Sequence, residues 1–157
     1  MQQEELTRQI MAHADLLYRV SCGLLRRPQD REDAVQSAME IAWRKAGQLR
    51  DRDKLRPWLV RVLINECYAI LRRQQREVPG EILAAGETDI PQDAIMLRDA
   101  LAQLPEKMRL TLVLHYFEGL SVRETAAAMR CPQGTVLSRM QRGRQALKTL
   151  LEDNDHE

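Results

Sequence analysis

Gln133, Thr135, Ser138, Arg139, Arg142, Arg144 and Lys148 all end in hydrogen-bonding or cationic heads. A helix carrying them, together with Gln145, would turn most of them away from one apolar stripe. That chemistry suits the major groove of duplex DNA. Arginine can donate two bonds to guanine, glutamine can pair with adenine, and serine or threonine reaches base edges or phosphates. Only the N-terminal part of such a helix reaches bases. Ser138 and Arg139 are therefore expected on bases or on the phosphates bracketing them, with Arg142, Arg144 and Lys148 holding backbone. A solvated basic helix has a similar composition, so the neighbouring segments must decide between the two.

Those segments are EGLSVRETAAAMRCPQGTVLSRMQRGRQALKTLL, residues 118–151. Ser121 and Glu124 fit a capping box, which satisfies two free N–H groups at a helix start. Ala126, Ala127 and Ala128 favour helix and allow a second helix to cross closely. Arg130-Cys131-Pro132 ends the first helix, and the proline suits the first turn of the next. Val136, Met140, Gly143, Leu147 and Leu150 recur at helical steps, so one stripe should face the first helix with Gly143 as the point of close approach. The pattern is a helix-turn-helix, and its basic second helix points to DNA binding.

Net charge is only +1, but it is distributed in blocks. Residues 1–76 hold 15 Lys/Arg against 10 Asp/Glu, and residues 107–151 hold 8 against 2. Between them, residues 77–106 hold 1 against 7, and the tail 152–157 has four acids and no Lys or Arg. Two basic blocks around an acidic spacer suggest two surfaces for one polyanion. Cys22, Cys67 and Cys131 are far apart, with no C-x-x-C, and read as three reduced, buried thiols of a cytoplasmic protein. No metal site and no cofactor is expected. No apolar run is long enough to span a bilayer, and MQQEEL does not read as a signal peptide.

In chain order, residues 3–26 predict one helix with Ile10, Leu17, Val20 and Leu24 inward and Leu16, Tyr18 and Leu25 at its margins. A second helix should start at an Asp30 N-cap and reach about residue 48. Ala34, Val35, Ala38, Met39, Ala42 and Trp43 would face inward, and Asp33, Gln36, Glu40 and Arg44 outward. A charged loop, 49–56, includes Arg56. Pro57 then opens a helix to Arg76, which packs Trp58, Val62 or Leu63, Ile70 and Leu71. It turns Arg61, Asn65, Tyr68, Arg72, Arg73 and Arg76 to a basic face suited to phosphate. Residues 77–93, EVPGEILAAGETDIPQD, read as a flexible acidic linker. A helix from about Pro91 to Gln103 carries Ala94, Leu97, Leu101 and Leu104. The next, 106–117, carries Met108, Leu112, Val113 and Tyr116 or Phe117 inward, and Gly119 closes it. No strand pattern occurs. The expected fold is all-α: two small helical domains, 1–76 and 94–151, joined by linker 77–93, with a four-helix C-terminal unit.

Taken together, DREDAVQSAMEIAWRKAGQL, PWLVRVLINECYAILRRQQR and LPEKMRLTLVLHYFEGLSVRETAAAMRCPQGTVLSRMQRGRQAL resemble the extracytoplasmic-function (group 4) sigma factors of bacterial RNA polymerase. The resemblance covers nearly the whole chain. It implies a non-enzymatic promoter-specificity subunit in the cytoplasm, with core RNA polymerase and promoter DNA as partners. An anti-sigma factor is left open. Residues 1–76 would be the region 2-like domain, which binds core and opens the minus-10 element. There Asp33, Gln36 and Glu40 would face core polymerase. The loop with Arg56, and Arg61 and Asn65, would handle the unpaired strand. Arg72, Arg73 and Arg76 would hold backbone. Residues 94–151 would be the region 4-like domain, reading the minus-35 element through helix 132–148.

Four positions depart from the family pattern. Arg130 stands where glycine is frequent, Cys131 replaces a branched aliphatic, and Ala69 replaces a frequent acid. Leu137 occupies a usually basic position, which implies one phosphate contact fewer. An autonomous helix-turn-helix regulator is the alternative, but it gives Asp33, Gln36 and Glu40 no role. A serine recombinase would need a sheet-borne nucleophile, and Ser21 and Ser37 lie in helical contexts.

Overall fold

The computed structural model describes residues 2–77 and 92–155, and all its regular structure there is helical. The chain divides into two compact units, Met1–Gly86 and Glu87–Glu157. The linker expected at 77–93 falls almost wholly outside the described residues.

The first unit holds α1 (Gln2–Ala12), α2 (Ala14–Cys22), α3 (Pro28–Lys45) and α4 (Leu55–Glu77). Its core is aliphatic, with Ile10, Leu17, Val20, Leu59, Val60 and Leu63 fully buried. α3 packs on α4 and α2, and its Ala34, Ala38 and Ala42 are all at 0% exposure. Three alanines four residues apart form a shallow stripe that lets neighbouring helices approach closely.

Four expectations change here. The single helix 3–26 is two helices broken at His13. Its Nδ1–H donates to the Gln9 carbonyl at 2.7 Å, competing locally with the backbone ladder. The second of them stops at Cys22, where the Leu24 and Leu25 N–H groups both return to the Ser21 carbonyl. The N-cap of α3 is Arg27, with Pro28 at the start of the helix. Asp30 instead lies in the first turn and accepts from Gln74 Nε2 of α4, so this acid ties two helices together. α4 begins at Leu55, two residues before Pro57, because the first N–H groups of a helix need no intrahelical partner.

Trp43 is the largest departure. Expected inward, it is 46% exposed. At 100° per residue it lies about 140° from the centre of the alanine stripe, and an indole has no room where alanines set the helix spacing.

The second unit holds α5 (Gln92–Ala102), α6 (Glu106–Leu112), α7 (Val122–Met129) and α8 (Gln133–Asp155). Leu101, Leu104, Leu112, Ala126, Val136 and Met140 form its core, and Leu97, Met108, Cys131, Leu147 and Leu150 pack against it. The helix expected over 106–117 changes after Leu112 into a π turn, Val113–Phe117. The Glu118 N–H reaches the Val113 carbonyl, five residues back, at 3.0 Å. This slower winding buries Leu114 and leaves both Tyr116 and Phe117 exposed, although one of the two was expected inside. Gly119, at φ +73°, supplies the positive φ that closes the segment.

The stripe on α8 is as expected, but its partner at Gly143 is not. A Cβ at Gly143 would lie 2.8 Å from Leu112 Cδ1 and 3.1 Å from Met108 Cγ. The close approach is therefore to α6 rather than to the first helix of the hairpin.

Candidate nucleic-acid interface

The hairpin starts as its sequence dictates. Ser121 Oγ accepts from the Glu124 N–H and Glu124 Oε1 accepts from the Ser121 N–H, both at 3.0 Å. Removing such a cap typically costs about 1 kcal/mol. α7 closes on Arg130 in the left-handed region at φ 55°. The Cys131 N–H bonds to the Ala126 carbonyl at 3.1 Å and the Arg130 N–H to Ala127 at 3.4 Å, satisfying carbonyls at the helix end. A non-glycine residue bears about 1–2 kcal/mol of strain there. The Pro132 carbonyl then accepts from the N–H groups of Thr135 and Val136, so proline opens α8 without needing a donor of its own.

α8 presents most of the expected side chains. Gln133, Ser138, Arg142, Arg144 and Lys148 are exposed, and Thr135 is half-buried. Arg142 Nε donates to the Ser138 carbonyl at 3.5 Å, which lays its stem along the helix. Arg139 differs from these. It is half-buried, and its Nη1 lies 3.6 Å from Cys131 Sγ in the turn. Two further exposed residues were given no DNA contact by the sequence. Leu137 is 53% exposed, and Gln141 lies one turn beyond it. The four-residue spacing from Gln133 through Leu137 to Gln141 was the available signal.

In the first unit, Asp33, Gln36 and Glu40 are exposed on α3. Trp43 lies within about 20° of Gln36 and 60° of Glu40 around the axis, so an aromatic ring joins that polar face.

On α4, Arg61, Asn65, Tyr68 and Arg72 recur at steps of four, three and four, on one side of the helix. Asn65 and Arg72 are exposed; Arg61 and Tyr68 are half-buried. Arg73 is exposed about 100° away from that row, and Arg56, half-buried, about 140° away. The basic run therefore does not form a single stripe. Arg76 lies in α4, but its side chain is outside the described residues. A recess of about 250 Å³ lined by Lys45, Gln48, Leu49 and Trp58 adjoins the charged loop.

Cysteine placement departs from expectation. Cys67 is buried, Cys131 half-buried and Cys22 exposed, since the last residue of α2 turns away from Val20.

Comparison with known proteins gives two matched families. Residues 9–77 match sigma-70 region 2, and residues 94–147 match sigma-70, region 4. Among curated relatives, the RNA polymerase sigma-H factor of Pseudomonas aeruginosa is 33% identical over 144 residues, covering 79% of this chain and 74% of that one. The ECF RNA polymerase sigma factor SigM of Mycobacterium tuberculosis is 34% identical over 143 residues, covering 88% and 73%. Among solved structures, the sigma factor RpoE of Bartonella quintana, crystallised with the anti-sigma factor NepR, superposes with a TM-score of 0.83. It is 26% identical and covers 95% of this chain and 98% of its own.

Proposed function

This chain belongs to the extracytoplasmic-function group of sigma-70 factors, and we propose on that footing how its two units divide the work. A sigma factor joins core RNA polymerase and directs transcription initiation at promoter DNA, and that is the function of this chain. Membership displaces the autonomous regulator, which left the α3 face without a partner.

In the proposed division, residues 1–76 bind core polymerase and engage the minus-10 element, residues 77–93 connect the units, and residues 94–151 read the minus-35 element. The observation that carries it is the α3 face: Asp33, Gln36, Glu40 and Trp43 are all exposed on a helix whose other side buries Ala34, Ala38, Met39 and Ala42. The acids on this face repel a polyanion such as DNA, and an aromatic ring among them suits a protein partner. Arg61 and Asn65 suit the unpaired strand, with Arg56 at the loop. The indole of Trp58 offers an apolar wall on which an unstacked base could lie. Arg72, Arg73 and Arg76 suit backbone phosphates. The chain acts as a DNA-recognition factor with no reaction of its own, in the cytoplasm where polymerase and promoter meet. Among the described residues no helix is long and apolar enough to cross a membrane. An anti-sigma factor is a fitting partner, because RpoE, similar in fold, was crystallised in complex with the anti-sigma factor NepR.

Reversing one charge tests the α3 assignment. Asp33→Arg should weaken association with purified core polymerase about tenfold and leave thermal unfolding unchanged, since Asp33 is exposed. Parent-like binding would remove Asp33 from the interface and leave it only the helix-dipole role, worth less than about 1 kcal/mol.

On α8, Ser138 is placed on bases and Arg142, Arg144 and Lys148 on backbone. Arg139, anchored at Cys131, is placed on a bracketing phosphate. Arg139→Ala should then weaken all minus-35 sequences alike and lower the salt slope by about one. Transcription from every single-base variant of the element checks this. A loss of preference at one position would make Arg139 a base reader instead.

A further inference from the structure

A lone exposed leucine is ordinary on a protein surface, and what distinguishes Leu137 is its position. It is 53% exposed in the second turn of α8, outside the buried cluster of its unit. Gln133 lies four residues before it and Gln141 four residues after it, and both are exposed. The three therefore form one ridge along the helix. Arg139 does not overhang this ridge: it lies about 160° around the axis from Leu137, with its guanidinium on Cys131. Successive members of the ridge are about 6 Å apart, less than two base-pair steps of about 3.4 Å.

The major-groove edge of DNA offers one apolar group, the C5-methyl of thymine, and apolar side chains read it by contact. A glutamine amide matches adenine N6 and N7, so the residues on either side of Leu137 favour A·T pairs on the same ridge. We propose that Leu137 is a specificity-determining residue that packs on the methyl of one thymine in the minus-35 element. It thereby selects thymine over cytosine at that position. The inference rests on the reading of α8 as the minus-35 helix. It replaces the phosphate contact that a basic residue would make here with direct base readout.

The test uses holoenzyme assembled from core polymerase and the full chain, on a promoter drawn from a random library. Each thymidine of the minus-35 element, on either strand, is replaced singly by deoxyuridine, which removes only the methyl. At one position the parent should lose about fourfold in promoter affinity, as expected for one apolar carbon returned to water. Leu137→Ala should be indifferent to deoxyuridine at that position. If no position shows a methyl effect that Leu137→Ala abolishes, while the parent still discriminates bases across the element, the Leu137 inference is overturned alone. If the parent discriminates no base there, the minus-35 reading of α8 falls and Leu137 with it.

Discussion

Trp43→Ala should weaken association with core polymerase by at least about 2 kcal/mol, roughly thirtyfold in Kd, and leave the unfolding midpoint in place. The two halves of this expectation come from the same number. At 46% exposure the indole lies outside the buried core of its unit and offers nearly half of its surface to a partner. Around α3 it stands between the buried Met39 and the exposed Gln36 and Glu40. A large apolar ring beside polar groups is the arrangement in which tryptophan becomes the dominant anchor of an interface, shielded by its neighbours. Binding of purified core polymerase to parent and variant, with thermal unfolding alongside, separates the possibilities. Lost stability with unchanged binding would return Trp43 to a packing role.

Gly143→Val should destabilise the C-terminal unit by about 2–3 kcal/mol, at the upper end of the usual overpacking cost. Glycine inside a helix is about 1 kcal/mol worse than alanine, yet it stands in the 23-residue α8. The reason is contact. The first added carbon already meets Leu112 Cδ1 at 2.8 Å and Cγ at 3.1 Å, with Met108 Cγ also at 3.1 Å. Leu112 is 1% exposed and cannot swing aside into solvent. Alanine therefore gains helix propensity and loses packing in similar measure, whereas valine adds two further methyls to a closed seam. Denaturant unfolding followed by amide exchange in α6 and α8 measures the effect. Core association through α3 should survive while minus-35-dependent transcription falls. A valine variant with parent-like exchange would mean that α6 and α8 can separate without cost.

Features set by local chemistry could be read from sequence. The Ser121–Glu124 box, the helix end at Arg130, the restart at Pro132 and the Val136–Met140–Gly143 stripe each depend on a few neighbouring residues. The polarity of Asp33, Gln36 and Glu40 likewise sufficed to place them outside. What sequence missed depends on neighbours far along the chain or on small changes of helical winding. Trp43 was assigned by residue type, although its angle from the alanine stripe already placed it outside. Tyr116 and Phe117 were read on an α-helical wheel, and the π turn rotates both into solvent. Asp30 resembles a cap, but Gln74, 44 residues away, determines what it does. Gly143 announces a close approach without naming α6 as the partner. Within the interface, Arg139 looked like a free arm because Cys131 gives no sequence sign of receiving a guanidinium, and Leu137 looked only like one phosphate contact fewer.

Run-off transcription with purified core polymerase, with and without the chain, over a library of promoter fragments tests most directly that this protein confers promoter choice. Discrete transcripts from a subset of promoters sharing minus-35 and minus-10 elements, and requiring both components, are expected. The same transcripts from core polymerase alone, or tight operator binding by the chain alone at physiological salt with no transcript, would contradict it.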